Sequence, residues 1–95
     1  MIDMNLYPVP HPQVAARIVD GTAVIILSDA GRVNMLNGVG TRVWELADGK
    51  RNAQEIANTI VAEYQVTDET ARADVASFLQ ILIDARAVTL KERSI

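Results

Sequence analysis

Hydrophobic positions along the chain fall first at every second residue and then at every third or fourth, and the change comes between Arg32 and Gly49. Val33, Asn34, Met35 and Leu36 keep the alternation of a half-buried strand. Beyond Asn37 the apolar residues Val39, Val43, Leu46 and Ala47 share one face of a helix. Asn37 is the hinge, an N-cap whose side-chain oxygen accepts from the first turn. Asp48-Gly49 closes the helix, because glycine takes the left-handed conformation without steric cost. A strand running straight into a capped helix sets the angle between a sheet and a helical layer.

Ahead of this segment, Met1 to Pro12 carries all three prolines, at positions 8, 10 and 12. Each fixes φ, removes a donor and pushes its predecessor to extended conformations, so residues 1–15 read as an irregular, proline-rich lead-in. Ala16 to Asp20 alternates, Asp20-Gly21 signals a hairpin, and Thr22 to Leu27 is rich in strand formers. Ser28 to Gly31 turns the chain into Arg32–Leu36. The pattern predicts a three-stranded antiparallel meander with Arg32–Leu36 third and at an edge.

After the first helix, Asn52 and Glu55 have the spacing of a capping box. Ala53, Ile56, Ala57, Ile60, Val61 and Tyr64 follow as a helical stripe, broken at Gln65-Val66. Thr67 caps a third helix with Asp68 and Glu69 in its first turn, where acids oppose the helix dipole. On its wheel Ala71, Val75, Phe78, Leu82 and Ala85 make the core side, with Ser77, Gln80 and Asp84 opposite. Ala76, Leu79 and Ile83 widen the apolar surface on one flank beside Arg72, and Ile81 lies on the other, an arc broader than one contact requires. Val88-Thr89-Leu90 pairs briefly, and 91–95 is a frayed tail. The fold class is α+β: three strands followed by a three-helix bundle, with the working domain at residues 16–90.

Ninety-five residues make one domain, and 49% hydrophobic residues make it globular. There is no cysteine and a single histidine, His11, in the lead-in, so thiolate chemistry is excluded and an imidazole-built metal site is not expected. A net charge of −3 opposes a partner held through phosphates. The longest apolar run, Ala23 to Leu27, is far below the roughly twenty residues that span a bilayer. The chain therefore reads as soluble, unexported and cytoplasmic.

Catalytic parts are lacking. Ser28, Ser77 and Ser94 have no histidine partner but His11. Glu45/Asp48 and Asp68/Glu69 sit where helix ends place acids for structural reasons. Gly38-Val39-Gly40 lacks the third glycine and the βαβ unit of a phosphate-binding turn. Trp44 is expected as a half-buried anchor between helix and sheet. No catalytic residue, metal or cofactor is assigned.

The stretch VNMLNGVGTRVWELADGKRNAQEIANTIVAEYQV, followed by DVASFLQILIDARAV, resembles the PqqD-like family, the peptide-recognition elements of ribosomally made, modified peptide pathways. The likeness rests on Leu36-Asn37, Val43-Trp44, Leu46, Asp48-Gly49, Glu55-Ile56-Ala57, Asp74-Val75, Phe78-Leu79 and Leu82, and covers roughly residues 16 to 90. It implies a winged-helix-like domain without catalytic residues that acts as a peptide chaperone. Such a protein binds the leader of a precursor peptide and presents it to a modifying enzyme, often a radical SAM protein. Carried over, the leader adds as a strand along Arg32, Val33, Asn34, Met35 and Leu36, and faces Arg72, Val75, Ala76, Leu79, Leu82 and Ile83 of the third helix. An edge strand supplies unpaired backbone groups, and alternate pockets beside it supply selectivity. Gly38 and Gly40 depart from a good helix start, by about 1 kcal/mol each relative to alanine. The lead-in lies outside the motif, its role open between covering the groove, exchange between subunits and disorder.

Two rivals remain at this level. Helices two and three could act as a helix-turn-helix of a nucleic-acid-binding regulator, a reading opposed by the acidic balance. Alternatively, the apolar flank serves a structural homodimer.

Overall fold

The computed structural model describes residues 2–12, 14–20, 22–27, 33–36 and 38–94. Their order is β1 (Tyr7–Pro10), β2 (Val14–Val19), β3 (Thr22–Leu27), β4 (Val33–Leu36), α1 (Gly38–Leu46), α2 (Ala53–Tyr64), α3 (Asp68–Asp84) and β5 (Val88–Lys91). β2, β3 and β4 form the antiparallel meander, in that spatial order. Val19 pairs with Thr22, so the first turn has two residues, and Asp20 adopts the φ of +51° that a tight hairpin demands. β4 pairs Val33 to Leu36 with Ile26 to Ala23. The expected turn at 28–31, Arg32 and the cap at Asn37 lie outside the described residues.

Within the lead-in one stretch is regular, which corrects the expectation of irregular structure there. Tyr7–Pro10 is a strand, and it pairs antiparallel with β5, Tyr7 opposite Lys91 and Pro10 opposite Val88. Prolines are compatible with this because an antiparallel strand directs the backbone groups of alternate residues to opposite sides. Pro8 and Pro10 have no N–H, so β1 can donate to β5 only from Tyr7 and Val9, and His11 N continues that series to Ala87 O at 2.9 Å. The even-numbered carbonyls point the other way. Pro8 O accepts from Gly49 N at 2.9 Å, Leu6 O from Ala53 N at 3.0 Å and Met4 O from Gln54 N at 2.9 Å. β5 also starts the tail later than expected, since Lys91 is still in the ladder.

Ala53 and Gln54 open α2, whose first N–H groups have no partner within the helix. The lead-in supplies their acceptors, and the capping box supplies the next: Asn52 Oδ1 accepts from Glu55 N at 2.8 Å while Glu55 Oε1 accepts from Asn52 N at 3.0 Å. α2 ends at Gln65, left-handed at φ +54°, and Thr67 caps α3 through Thr70 N. Gly49, at φ +82°, makes the turn after α1 as its sequence position implies.

The interior is built from Val43, Leu46 and Ala47 around α1, Ala53, Ile56, Ala57 and Ile60 of α2, and Ala71, Val75, Leu79 and Leu82 of α3, joined by Ile25 of β3 and Val88 of β5. Leu79 and Ala76, expected on a flank of α3, are 0% and 6% exposed and belong to this core, whereas Phe78 and Ala85 are only partly buried. The core stripe of α3 is thus rotated towards Leu79, and Phe78 packs against α1. It lies over Gly40, where a β-carbon would come within 2.7 Å of Cε1 and 3.0 Å of Cδ1. Gly40, a propensity defect in the sequence, is thus the contact that lets α1 and α3 approach. Arg42 of α1 reaches α2 with a forked pair to Glu63, Nε to Oε1 and Nη2 to Oε2 at 2.7 Å each.

Two outcomes follow for stability. Gly40→Ala gains about 1 kcal/mol of helix propensity but forces the Phe78 ring to lift, at a cost of about 1–3 kcal/mol, so a net loss is expected in urea unfolding. In a Phe78→Leu background the same substitution is expected to stabilise. The hydrogen bond from Arg42, and secondarily its charge, holds the Glu63 carboxyl below its ordinary value. A lowered folded value means that the stabilisation is complete above the ordinary carboxylate range and disappears as pH falls through the folded value. Glu63→Gln is therefore expected to flatten the acid side of the stability curve, read as urea midpoints between neutral and acid pH, and to leave it unshifted if the fork contributes nothing.

Candidate functional site

β4 lies at one margin of the meander, and among the described residues no strand lies on its far side. β2 occupies the other margin, but the two are not equivalent. α1 packs on β3 and β4 and also on α2 and α3. The free margin at β4 is therefore the one that adjoins the helical layer. Along such a margin every second residue turns an N–H and a C=O outward, which an extended chain can pair with. Val33, Asn34, Met35 and Leu36 form this strand, while Arg32 lies outside the described residues.

On α3 the six residues assigned from sequence separate into layers. Val75, Leu79 and Leu82 are 0%, 0% and 1% exposed and pack in the core. Ala76 is nearly buried and Ile83 partly so, both against that core. Arg72 has its side chain half in solvent, 3.9 Å from Asp68, a weak exposed pair. The interior members support the helix from below, and its accessible chemistry lies on other residues.

An open groove of about 530 Å³ lies along the outer face of α3, lined by Ala73, Ala76, Ser77, Gln80, Ile81 and Asp84 of the helix together with Ile2. Ile81 is 51% exposed, a large apolar side chain left uncovered. Its position among Ser77, Gln80 and Asp84 was the available sequence signal, an isoleucine on an otherwise polar face. Nothing in the sequence placed Ile2 there. Gln80 Nε2 donates to Asp84 Oδ1 at 2.9 Å, fixing that carboxylate.

The electrostatics of α3 are one-sided. It carries four carboxylates, Asp68, Glu69, Asp74 and Asp84, against one guanidinium, Arg72, a net −3 equal to that of the entire chain. Among the described residues no three histidine, aspartate or glutamate side chains gather as metal ligands, and no helix is long and apolar enough to cross a membrane. Trp44 of α1 is partly buried against the core, as its sequence position implied.

The family model described as Coenzyme PQQ synthesis protein D (PqqD) matches residues 22–88, from β3 to the start of β5. No curated protein matches the chain. Among solved structures it is similar to TbiB1 in complex with the TbiA(beta) leader peptide, at 28% identity and TM-score 0.78, over 84% of this chain and 93% of that one. It also shares the fold of lasso peptide synthetase B1 complexed with the leader peptide, at 20% identity and TM-score 0.76, over 87% and 98% of the two chains.

The layering of α3 has a direct test. Leu79→Ala is expected to cost about 2–5 kcal/mol of unfolding free energy, whereas Arg72→Ala stays within about 0.5 kcal/mol. Equal effects in denaturant titrations would mean that the helix is not seated as described.

Proposed function

We propose that this chain, which belongs to the PqqD family, is a non-catalytic protein that binds the leader of a ribosomally made precursor peptide and presents it to a modifying enzyme. The observation that carries the reading is a sheet margin at β4 beside a helical layer, in a fold shared with a protein solved with its leader peptide bound. The enzyme partner we have in mind is of the radical SAM kind that the family likeness suggests, and the site of action is the cytoplasm.

In this reading the leader lies antiparallel or parallel to β4 as a further strand. Backbone pairing along 32–36 supplies affinity that is indifferent to sequence, and side chains of the leader directed at α3 supply selectivity. Arg72 and, in part, Ile83 are the assigned helix residues with surface to offer, and Val75, Ala76, Leu79 and Leu82 hold the helix rigid beneath them. A preformed margin on a packed helical layer limits the ordering cost of binding to the peptide itself. The domain needs no catalytic group for this task. The winged-helix nucleic-acid reading is disfavoured by α3, since a helix with a net charge of −3 would repel phosphates.

Titration of isotope-labelled protein with the leader of its cognate precursor, made synthetically, is expected to shift backbone amides of 32–36 and of 72–83. Saturable binding with shifts confined to other segments overturns the site. Absence of binding by that leader overturns the function.

A further inference from the structure

We infer that the groove on the outer face of α3 takes an apolar side chain of the leader with a lysine or arginine beside it, so that the leaders served by this protein are locally basic. This rests on the leader-binding reading and adds the chemistry of the peptide to it. Four apolar residues, Ala73, Ala76, Ile2 and Ile81, line the groove. Such a lining suits an apolar side chain, and about 530 Å³ lies within the range of small-ligand sites. Seating such a group removes Ile81, 51% exposed, from water.

Charge selects what accompanies that group. Arg72 is 3.9 Å from Asp68, and among the described residues Asp74 and Asp84 have no cationic partner. Asp84 lines the same groove with one oxygen held by Gln80. It lies three residues beyond Ile81, about 4.5 Å along the helix axis. Residues on one side of an extended strand recur about every 7 Å. The next same-side residue therefore comes within reach of Asp84 when it is long, and only a cation gains there. An acidic residue in that place meets the uncompensated charge of α3.

The test is selection of random peptides about ten residues long, one strand's length, against the full chain at low salt, followed by affinity and amide-shift measurements on the selected sequences. Expected is enrichment of Leu, Ile, Val or Phe with Lys or Arg two positions away. Ala73→Trp, which fills the trough from an exposed position, is expected to weaken these peptides about tenfold. Should that variant not fold, Ile81→Ser is read in its place. Asp84→Lys is expected to reduce their affinity about threefold and to restore it when the peptide's cation is changed to Glu. Selected peptides that shift the β4 amides yet show no cationic preference, and bind both groove variants as well as the parent chain, overturn this inference and leave leader binding standing. Failure to select any peptide, together with failure of the natural leader to bind, overturns both.

Discussion

The opening N–H groups of α2 have to find acceptors, and the way they do so holds most of the molecule in place. Met4 O and Leu6 O meet Gln54 N and Ala53 N, Asn52 closes on Glu55, and Pro8 O meets Gly49 N in the turn before the helix. Buried donors without partners would cost about 1–3 kcal/mol each. That requirement pins the N-terminal strap across the front of α2, the strap's other side carries β5, and β5 follows directly from α3. One chain of backbone bonds thus runs from the first residues to the last strand and closes around the helices.

In the proposed function the two faces of α3 have separate tasks. The inner face is packed side chain to side chain with α1 and α2, tight enough that Gly40 is required beneath Phe78. The outer face is left with alanines, one uncovered isoleucine and unbalanced carboxylates. A binding protein without catalytic groups gains from such a division, because a rigid support spends little of the binding free energy on reorganisation.

The helices were legible in the sequence because their signals are local. The capping box at Asn52, the break at Gln65, the cap at Thr67 and the stripe through Ile56 and Ile60 all depend on residues within a turn of one another. The meander was legible for the same reason, with Asp20-Gly21 between two runs of strand formers. β1 was not, since proline is locally a strand breaker and its partner, β5, is some eighty residues away. The exact core stripe of α3 was missed because periodicity gives an apolar arc but not which edge of it turns inward. The close approach of Phe78 to Gly40, on another helix, is a contact that no pattern within α3 reveals. Of the candidate site, the strand and the helix were identified from pattern and family likeness, whereas the trough needed Ile2, which no helical pattern could bring to α3.

The prolines of β1 have a final consequence. Because Pro8 and Pro10 offer no hydrogen to the side facing away from β5, and Pro8 O is already engaged, a stray polypeptide cannot zip onto that flank. In the proposed role, holding extended chains, the protein is at constant risk of fastening onto its own kind, and on β1 the second sheet is closed to that pairing.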